Sequence, residues 1–333
     1  MPHAQLRTRL AAGLALSLAL AACATPRAAE PDAASPATPG LTLPVHTGGG
    51  HLVHEVWLNG QGPFWAVLDT GNQGTMVFER VVEQLDLRTA PLGELGGAGP
   101  GTIDVDLAQD VTVGLGSGGG ELTWLEPQVT VLPDAAALPD FDGRRIDVFL
   151  GASLIGEHLV TVDYPAGLLS FGERAGYVPP TNALVLDLEL TSGFPHLAGE
   201  VAATIAGEPG PTVAGRLLLD LGSPMGLQLD HEPTRDAGLL SEAAVADPER
   251  QVVGTMMGID GVPMDLVMVP AASVVLDGTD LTGMPGLARL FPSPTPTGGP
   301  PIPDLIGSLG SAPFVAGRLT LDYAGGRLVY EAP

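Results

Sequence analysis

The chain has 333 residues and carries 38 acidic against 14 basic side chains, a formal charge of −24 that repels nucleic acid and removes it from the list of partners. All 14 basic residues are arginines, so Schiff-base lysines, Ser-Lys dyads and phosphate-loop lysines cannot occur. One cysteine excludes an internal disulfide; 46 glycines and 32 prolines, with few long helical periodicities, favour strands joined by tight turns.

Arg7 and Arg9 precede an apolar run, Leu10 to Leu20, that closes on Leu20-Ala21-Ala22-Cys23. Residues 1–22 read as a signal peptide, too short for a comfortable membrane span. The ending resembles a bacterial lipobox, which implies acylation of Cys23 and attachment to the membrane by a lipid anchor only. Ala24 follows the cysteine, and by resemblance to Gram-negative lipoproteins this favours the outer membrane of the cell envelope. Residues 23–41 then form a lipidated cysteine and an Ala/Pro-rich tether.

The apolar run Phe64 to Leu68 predicts a core strand, and it delivers Asp69-Thr70-Gly71-Asn72 at its end. A carboxylate held there is costly to bury, which marks it as functional. Phe78 to Gln84 and Ser153 to His158 are short helical candidates. Gly114 to Gly119 has dinucleotide-binding spacing, but Glu121-Leu122-Thr123-Trp124 reads as strand where that motif requires a helix, so a glycine-rich hairpin is expected. No histidine cluster of zinc-ligand spacing appears among the seven, and no metal is expected. No Gly-x-Ser-x-Gly elbow exists. Val148-Phe149-Leu150-Gly151 reads as a strand ending in glycine, followed by an Asp163-Tyr164-x-x-Gly167 hairpin.

The second half repeats this order. Leu217-Leu218-Leu219 leads into Asp220-Leu221-Gly222-Ser223, 151 positions after the first motif. Leu305-Ile306-Gly307 stands as the counterpart of Leu150-Gly151, and an Asp322-Tyr323-x-x-Gly326 hairpin follows. His51-Leu52-Val53 pairs more weakly with His196-Leu197-Ala198. The repeat unit is a whole lobe, about 130 to 150 residues and large enough for its own core, with boundaries at 42–175 and 176–333. A Pro-rich loop, 291–303, interrupts lobe two where lobe one has Leu138 to Arg145.

The doubled set resembles the aspartic peptidases, whose motif is Asp-Thr/Ser-Gly followed by a small polar residue. The hairpins look most like those of bacterial retropepsin-like proteins, here with two lobes on one chain, and the resemblance covers residues 42–333. It implies a mainly β protein made of two homologous acid-protease-like β-barrel lobes arranged as a pseudo-dimer. It implies Asp69 and Asp220 as the catalytic pair, supported by Thr70, Gly71, Asn72, Leu221, Gly222 and Ser223. Asn72 would hydrogen-bond the outer oxygen of Asp69. Gly97, Ala98 and Gly99 in lobe one, and Met256, Met257 and Gly258 in lobe two, are flap candidates. Leu221 departs from the pattern, because the family uses a hydroxyl there to lock the two loops mutually; leucine leaves Thr70 without its symmetric partner. The resemblance further implies an endopeptidase acting on peptide or unfolded protein without a cofactor, as a monomer of two pseudo-symmetric lobes. The alternative is a catalytically silent envelope lipoprotein that binds peptide or a protein partner between the lobes, or a scaffold acting through the Pro-rich loop.

Overall fold

A computed structural model describes residues 39–97, 101–134, 140–141, 143–205, 208–240, 252–269, 271–281, 286–289 and 302–333. The leader, Cys23, Ala98, Gly99 and residues 291–301 of the Pro-rich loop lie outside them.

Three sheets carry the described chain. In lobe one, the strands run in the order Val53–Leu58, Gln61–Leu68, Val148–Leu150, Thr75–Phe78, Leu122–Leu132, Thr102–Leu115, Thr89–Gly96. Trp57 pairs with Gly114 across the two sides of this sheet, which curls it into a barrel. Lobe two repeats the order with Phe194–Ile205, Glu208–Leu219, Leu305–Leu309, Leu227–Leu229, Gly286–Arg289, Pro263–Val269 and Val252–Met257. Parallel and antiparallel pairings match position for position: each motif strand runs parallel to the short strand beside it, Gln61–Leu68 with Val148–Leu150 and Glu208–Leu219 with Leu305–Leu309. The protein is therefore mainly β and two-lobed, as the repeat predicts.

The third sheet joins the halves. Its order is Pro39–Pro44, Leu168–Gly172, Leu159–Asp163, Arg318–Asp322, Arg327–Glu331, Leu184–Asp187. The two Asp-Tyr hairpins meet at its centre, where Thr161 pairs with Thr320 and their hydroxyl oxygens lie 2.9 Å apart. Alternation inside these strands turns Val160, Val162, Leu319 and Leu321 into one core that continues through Leu68, Leu150, Leu219 and Leu309 of both lobes.

The helical candidates form as Glu79–Leu85 and Ala152–Glu157, within one residue of expectation. The glycine-rich segment is a hairpin connection between Thr102–Leu115 and Leu122–Leu132, as expected. One pairing needs correction. The counterpart of Leu150-Gly151 is Leu309-Gly310, three residues beyond Ile306-Gly307. Leu68 is in register with Leu150 and Leu219 with Leu309, and the amides of Asp69 and Asp220 donate to the carbonyls of Leu150 (2.8 Å) and Leu309 (2.9 Å). The apolar-apolar-Gly pattern competes with a second glycine-ended stretch in Leu305–Gly310, and only the later glycine follows the 159-residue offset that relates Thr161 to Thr320.

Both glycines are demanded by close backbone approach. A Cβ on Gly151 would strike the carbonyl oxygens of Asn72 and Gly74, and one on Gly310 those of Ser223 and Met225. Alanine at either position forces the motif loop outward. We expect Gly151→Ala and Gly310→Ala each to lower stability by about 1–3 kcal/mol in urea unfolding. Gly254→Ala, with open space around it, serves as the neutral control.

Candidate active site

Each motif sits on a turn at the mouth of its barrel strand. Asn72 N–H returns to the Asp69 carbonyl at 3.3 Å and Ser223 N–H to that of Asp220 at 3.1 Å, the same turn twice. The loops face each other so closely that a Cβ on Gly71 would lie 2.9 Å from Asp220 Oδ1 and 3.1 Å from Asp69 Oδ1. A Cβ on Gly222 would strike the Asp69 carboxyl. Glycine here is a condition for the two acids to meet. They do meet: Asp69 and Asp220 share a side-chain hydrogen bond, and one oxygen of Asp69 also accepts Gly71 N–H at 2.8 Å.

Two carboxyls in hydrogen-bond contact cannot both be ionised cheaply. The Asp69 carboxyl is pushed well above the ordinary carboxylate range, chiefly by loss of solvent and next by the charge of Asp220, with the Gly71 amide pulling the other way. Both residues are half-buried. Such a pair is most stable with one proton between an acid and its conjugate base.

Thr70 connects the two loops. Its buried hydroxyl donates to the Leu219 carbonyl at 2.6 Å and accepts Leu221 N–H at 2.8 Å, so both sides of the opposite motif hang on one side chain. Thr70 does not need a matching hydroxyl to make these bonds. Leu221 is fully buried and packs in the common core with Leu68, Leu150 and Leu219. The lock is thus half polar and half apolar.

Asn72 behaves differently from expectation. Its Nδ2 donates to the Gly74 carbonyl at 2.7 Å rather than to Asp69, which ties the loop to its own turn. Ser223 likewise serves its loop, accepting from Gln228 Nε2 at 2.8 Å. The amides of Ala152 and Ser311, at equivalent positions after Gly151 and Gly310, close on the carbonyls of Asn72 (2.9 Å) and Ser223 (3.0 Å).

Several supporting residues lie outside the two aspartate motifs. Ser311 Oγ donates to the Gly50 carbonyl at 2.8 Å, and the His51 ring lies beside the Gly222 backbone and against Phe141, the ring centres 3.9 Å apart and the planes tilted by 49°. Burial lowers the affinity of His51 for a proton, which favours a neutral ring beside the acids. Tyr323 is buried within the field of Asp69, and both effects raise its phenol well above its ordinary value. The offset of 159 residues that places Gly310 also places Ser311 opposite Ala152, a signal available once the hairpins are aligned.

The flap candidates fall on equivalent hairpins. Gly97 is at the tip between Thr89–Gly96 and Thr102–Leu115; Met256 and Met257 end the strand Val252–Met257, and Gly258 begins the tip beyond it. Met257 points to solvent, 49 % exposed. Among the described residues no group of three or more His, Cys, Asp or Glu could hold a metal ion.

The aspartyl protease family model matches residues 54–154, the segment that holds the first motif and Gly151. No curated protein sequence matches the chain. Among solved structures, an aspartic proteinase from Irpex lacteus is similar at 14 % identity over 88 % of this chain and 97 % of that one, with a TM-score of 0.46. Basic 7S globulin from soybean is similar at 14 % identity over 87 % and 94 % of the two chains, with a TM-score of 0.44.

Removing the Thr70 hydroxyl strands a buried carbonyl and a buried amide on the opposite lobe. Thr70→Val should cost about 2–6 kcal/mol in urea unfolding, because each of the two unpaired buried groups costs roughly 1–3 kcal/mol. Thr70→Ser keeps the hydroxyl and should retain most of that stability.

Proposed function

We propose that the protein is an aspartic endopeptidase that hydrolyses peptide bonds in peptides or unfolded proteins with water activated between Asp69 and Asp220. The observation that carries this reading is the close approach of the two carboxyls, both within about 3 Å of one point above Gly71, at the facing ends of pseudo-symmetric strands. The ionised carboxyl takes a proton from the water as its oxygen attacks the scissile carbonyl carbon. The protonated one hydrogen-bonds the carbonyl oxygen and stabilises the charge that develops there. Proton transfer from the pair to the amide nitrogen then releases the amine, and the pair returns to one shared proton. Aspartic proteases are the standard example of two carboxylates sharing one proton, so the chemistry is general to them and the residues alone are particular to this chain. No cofactor enters these steps.

Leu221 does not favour the silent-module alternative, since Thr70 makes both of its cross-lobe bonds without help from a second hydroxyl. The lipobox-like Leu20-Ala21-Ala22-Cys23 supports an outer-membrane lipoprotein tethered by the segment between Cys23 and Pro39, three residues shorter than the sequence suggests, because Pro39–Pro44 is a strand of the joining sheet.

The purified chain should cleave a reduced, carboxymethylated protein best at mildly acidic pH. Activity should fall on the acid side when both carboxyls are protonated and on the alkaline side when neither is. Asp69→Asn and Asp220→Asn should each abolish cleavage, and the double variant should be little worse than either single one, because the pair works as a unit. Cleavage that persists in the double variant removes the proposal.

Stability provides an independent reading of the same pair. Folding favours protonated Asp69, so the stability it contributes is complete below the ordinary carboxylate range and is lost as pH rises through its raised value. Asp69→Asn should therefore melt higher than wild type at neutral pH, with the difference closing in acid. For the anchor, Cys23→Ser should shift the protein out of the membrane fraction and abolish incorporation of labelled palmitate; unchanged partitioning contradicts lipid attachment.

A further inference from the structure

The two equivalent hairpins meet at their tips. Asp260 Oδ2, on the lobe-two tip, accepts the Gly101 amide of the lobe-one tip at 2.6 Å. Its other oxygen accepts Val262 N–H within its own turn at 3.2 Å, so the carboxylate is presented in one orientation. Beside it, Ile259 leaves lobe two and packs into a cluster of lobe one formed by Phe78, Val105 and Leu132 with Met76 and Phe149 against it. The lobe-one tip is glycine where this tip lands. A Cβ on Gly97 would lie 2.7 Å from Ile259 Cγ2, and one on Gly101 2.9 Å from Asp260 Oδ2.

The cluster that receives Ile259 is built on the strands that hold the catalytic loop. Phe149 immediately precedes Leu150, whose carbonyl accepts the Asp69 amide at 2.8 Å, and Met76 is in register with Phe149 on the next strand. Phe78 and Leu132 are buried, and the Arg80 guanidinium covers the other side of the cluster, 4.4 Å from the Phe78 ring centre. An apolar cluster favours an aliphatic side chain over a charged one, which would lose hydration on entering it. Ile259 supplies such a side chain.

We propose that Ile259 is a specificity-determining plug: it occupies, in the unliganded protein, the recess that receives a branched aliphatic side chain of the peptide substrate, and Asp260 latches the plug to Gly101. The inference rests on the endopeptidase reading. Substrate with leucine, isoleucine or valine next to the cleaved bond must displace Ile259 and lift the tip, so binding is weakened by the fraction of molecules that are latched. A substrate with glycine at that position leaves the plug in place and gains nothing when the plug is removed.

The test uses the full chain and two hexapeptides identical except for Leu or Gly at one residue flanking the bond that the enzyme cleaves in carboxymethylated protein. In wild type the ratio of kcat/KM for the two peptides is measured first. Ile259→Ala should raise that ratio roughly tenfold, through a lower KM for the leucine peptide, which is the discrimination expected of one apolar side chain in a pocket. Asp260→Ala should lower the same KM and speed hydrogen exchange at the Gly101 amide, a readout that needs no turnover. If both peptides are cleaved but the ratio is the same in wild type and Ile259→Ala, the plug is refuted and the endopeptidase reading stands. Exchange at Gly101 that Asp260→Ala leaves unchanged refutes the latch. If neither the protein substrate nor either peptide is cleaved by any of the three forms, the endopeptidase reading fails and the inference with it.

Discussion

Two carboxyls held against each other where solvent is scarce are the constraint around which the molecule is arranged. Such a pair resists being brought together when ionised, and isolated loops would spread to relieve it. The protein answers with backbone and with a retained proton: one oxygen of Asp69 accepts the Gly71 amide, and the proton that Asp69 retains faces the Asp220 carboxyl. Repulsion is removed by keeping one proton in the pair. The same proton is what gives the site an acid and a base at once, so the stability problem and the proposed chemistry have one solution.

Holding that geometry falls to Thr70 and to the sheet that joins the lobes. The Thr70 hydroxyl fixes the backbone on either side of Asp220, at Leu219 and Leu221, and the Thr161–Thr320 contact sits where the two hairpins pair. Symmetry is broken at Leu221, where a polar lock on one side is matched by apolar packing on the other. It is broken again at the tips, where lobe two inserts Ile259 into lobe one.

The larger features are legible because they are periodic or repeated. Apolar runs before Asp69 and Asp220 predict core strands, and the doubled Asp-Tyr hairpins predict matching elements, which the structure pairs in the joining sheet. The shift from Gly307 to Gly310 has a definite cause: Leu305–Gly310 contains two glycines that each follow apolar residues, and composition alone does not choose between them. Register does, since it is Leu309 that accepts from the Asp220 amide while Leu219 stays buried. Asn72 departs from expectation because a short amide serves its own turn as easily as the neighbouring acid, and the Gly74 carbonyl is close in the chain. His51, Ile259 and Asp260 act across the lobe boundary at long sequence separation, where the sequence carries no spacing rule, and Ser311 is found only through the 159-residue offset of the aligned hairpins.

The central claim is that Asp69 and Asp220 titrate as one unit. Carbon-13 NMR of the aspartate side-chain carboxyls, followed across pH with Asp69→Asn and Asp220→Asn used for assignment, reads this directly. Two well-separated steps are expected in the wild type, with one carboxyl ionising above the ordinary carboxylate range, and a single step in each variant. Two carboxyls that ionise together within the ordinary range, each unaffected by replacement of the other, would contradict it.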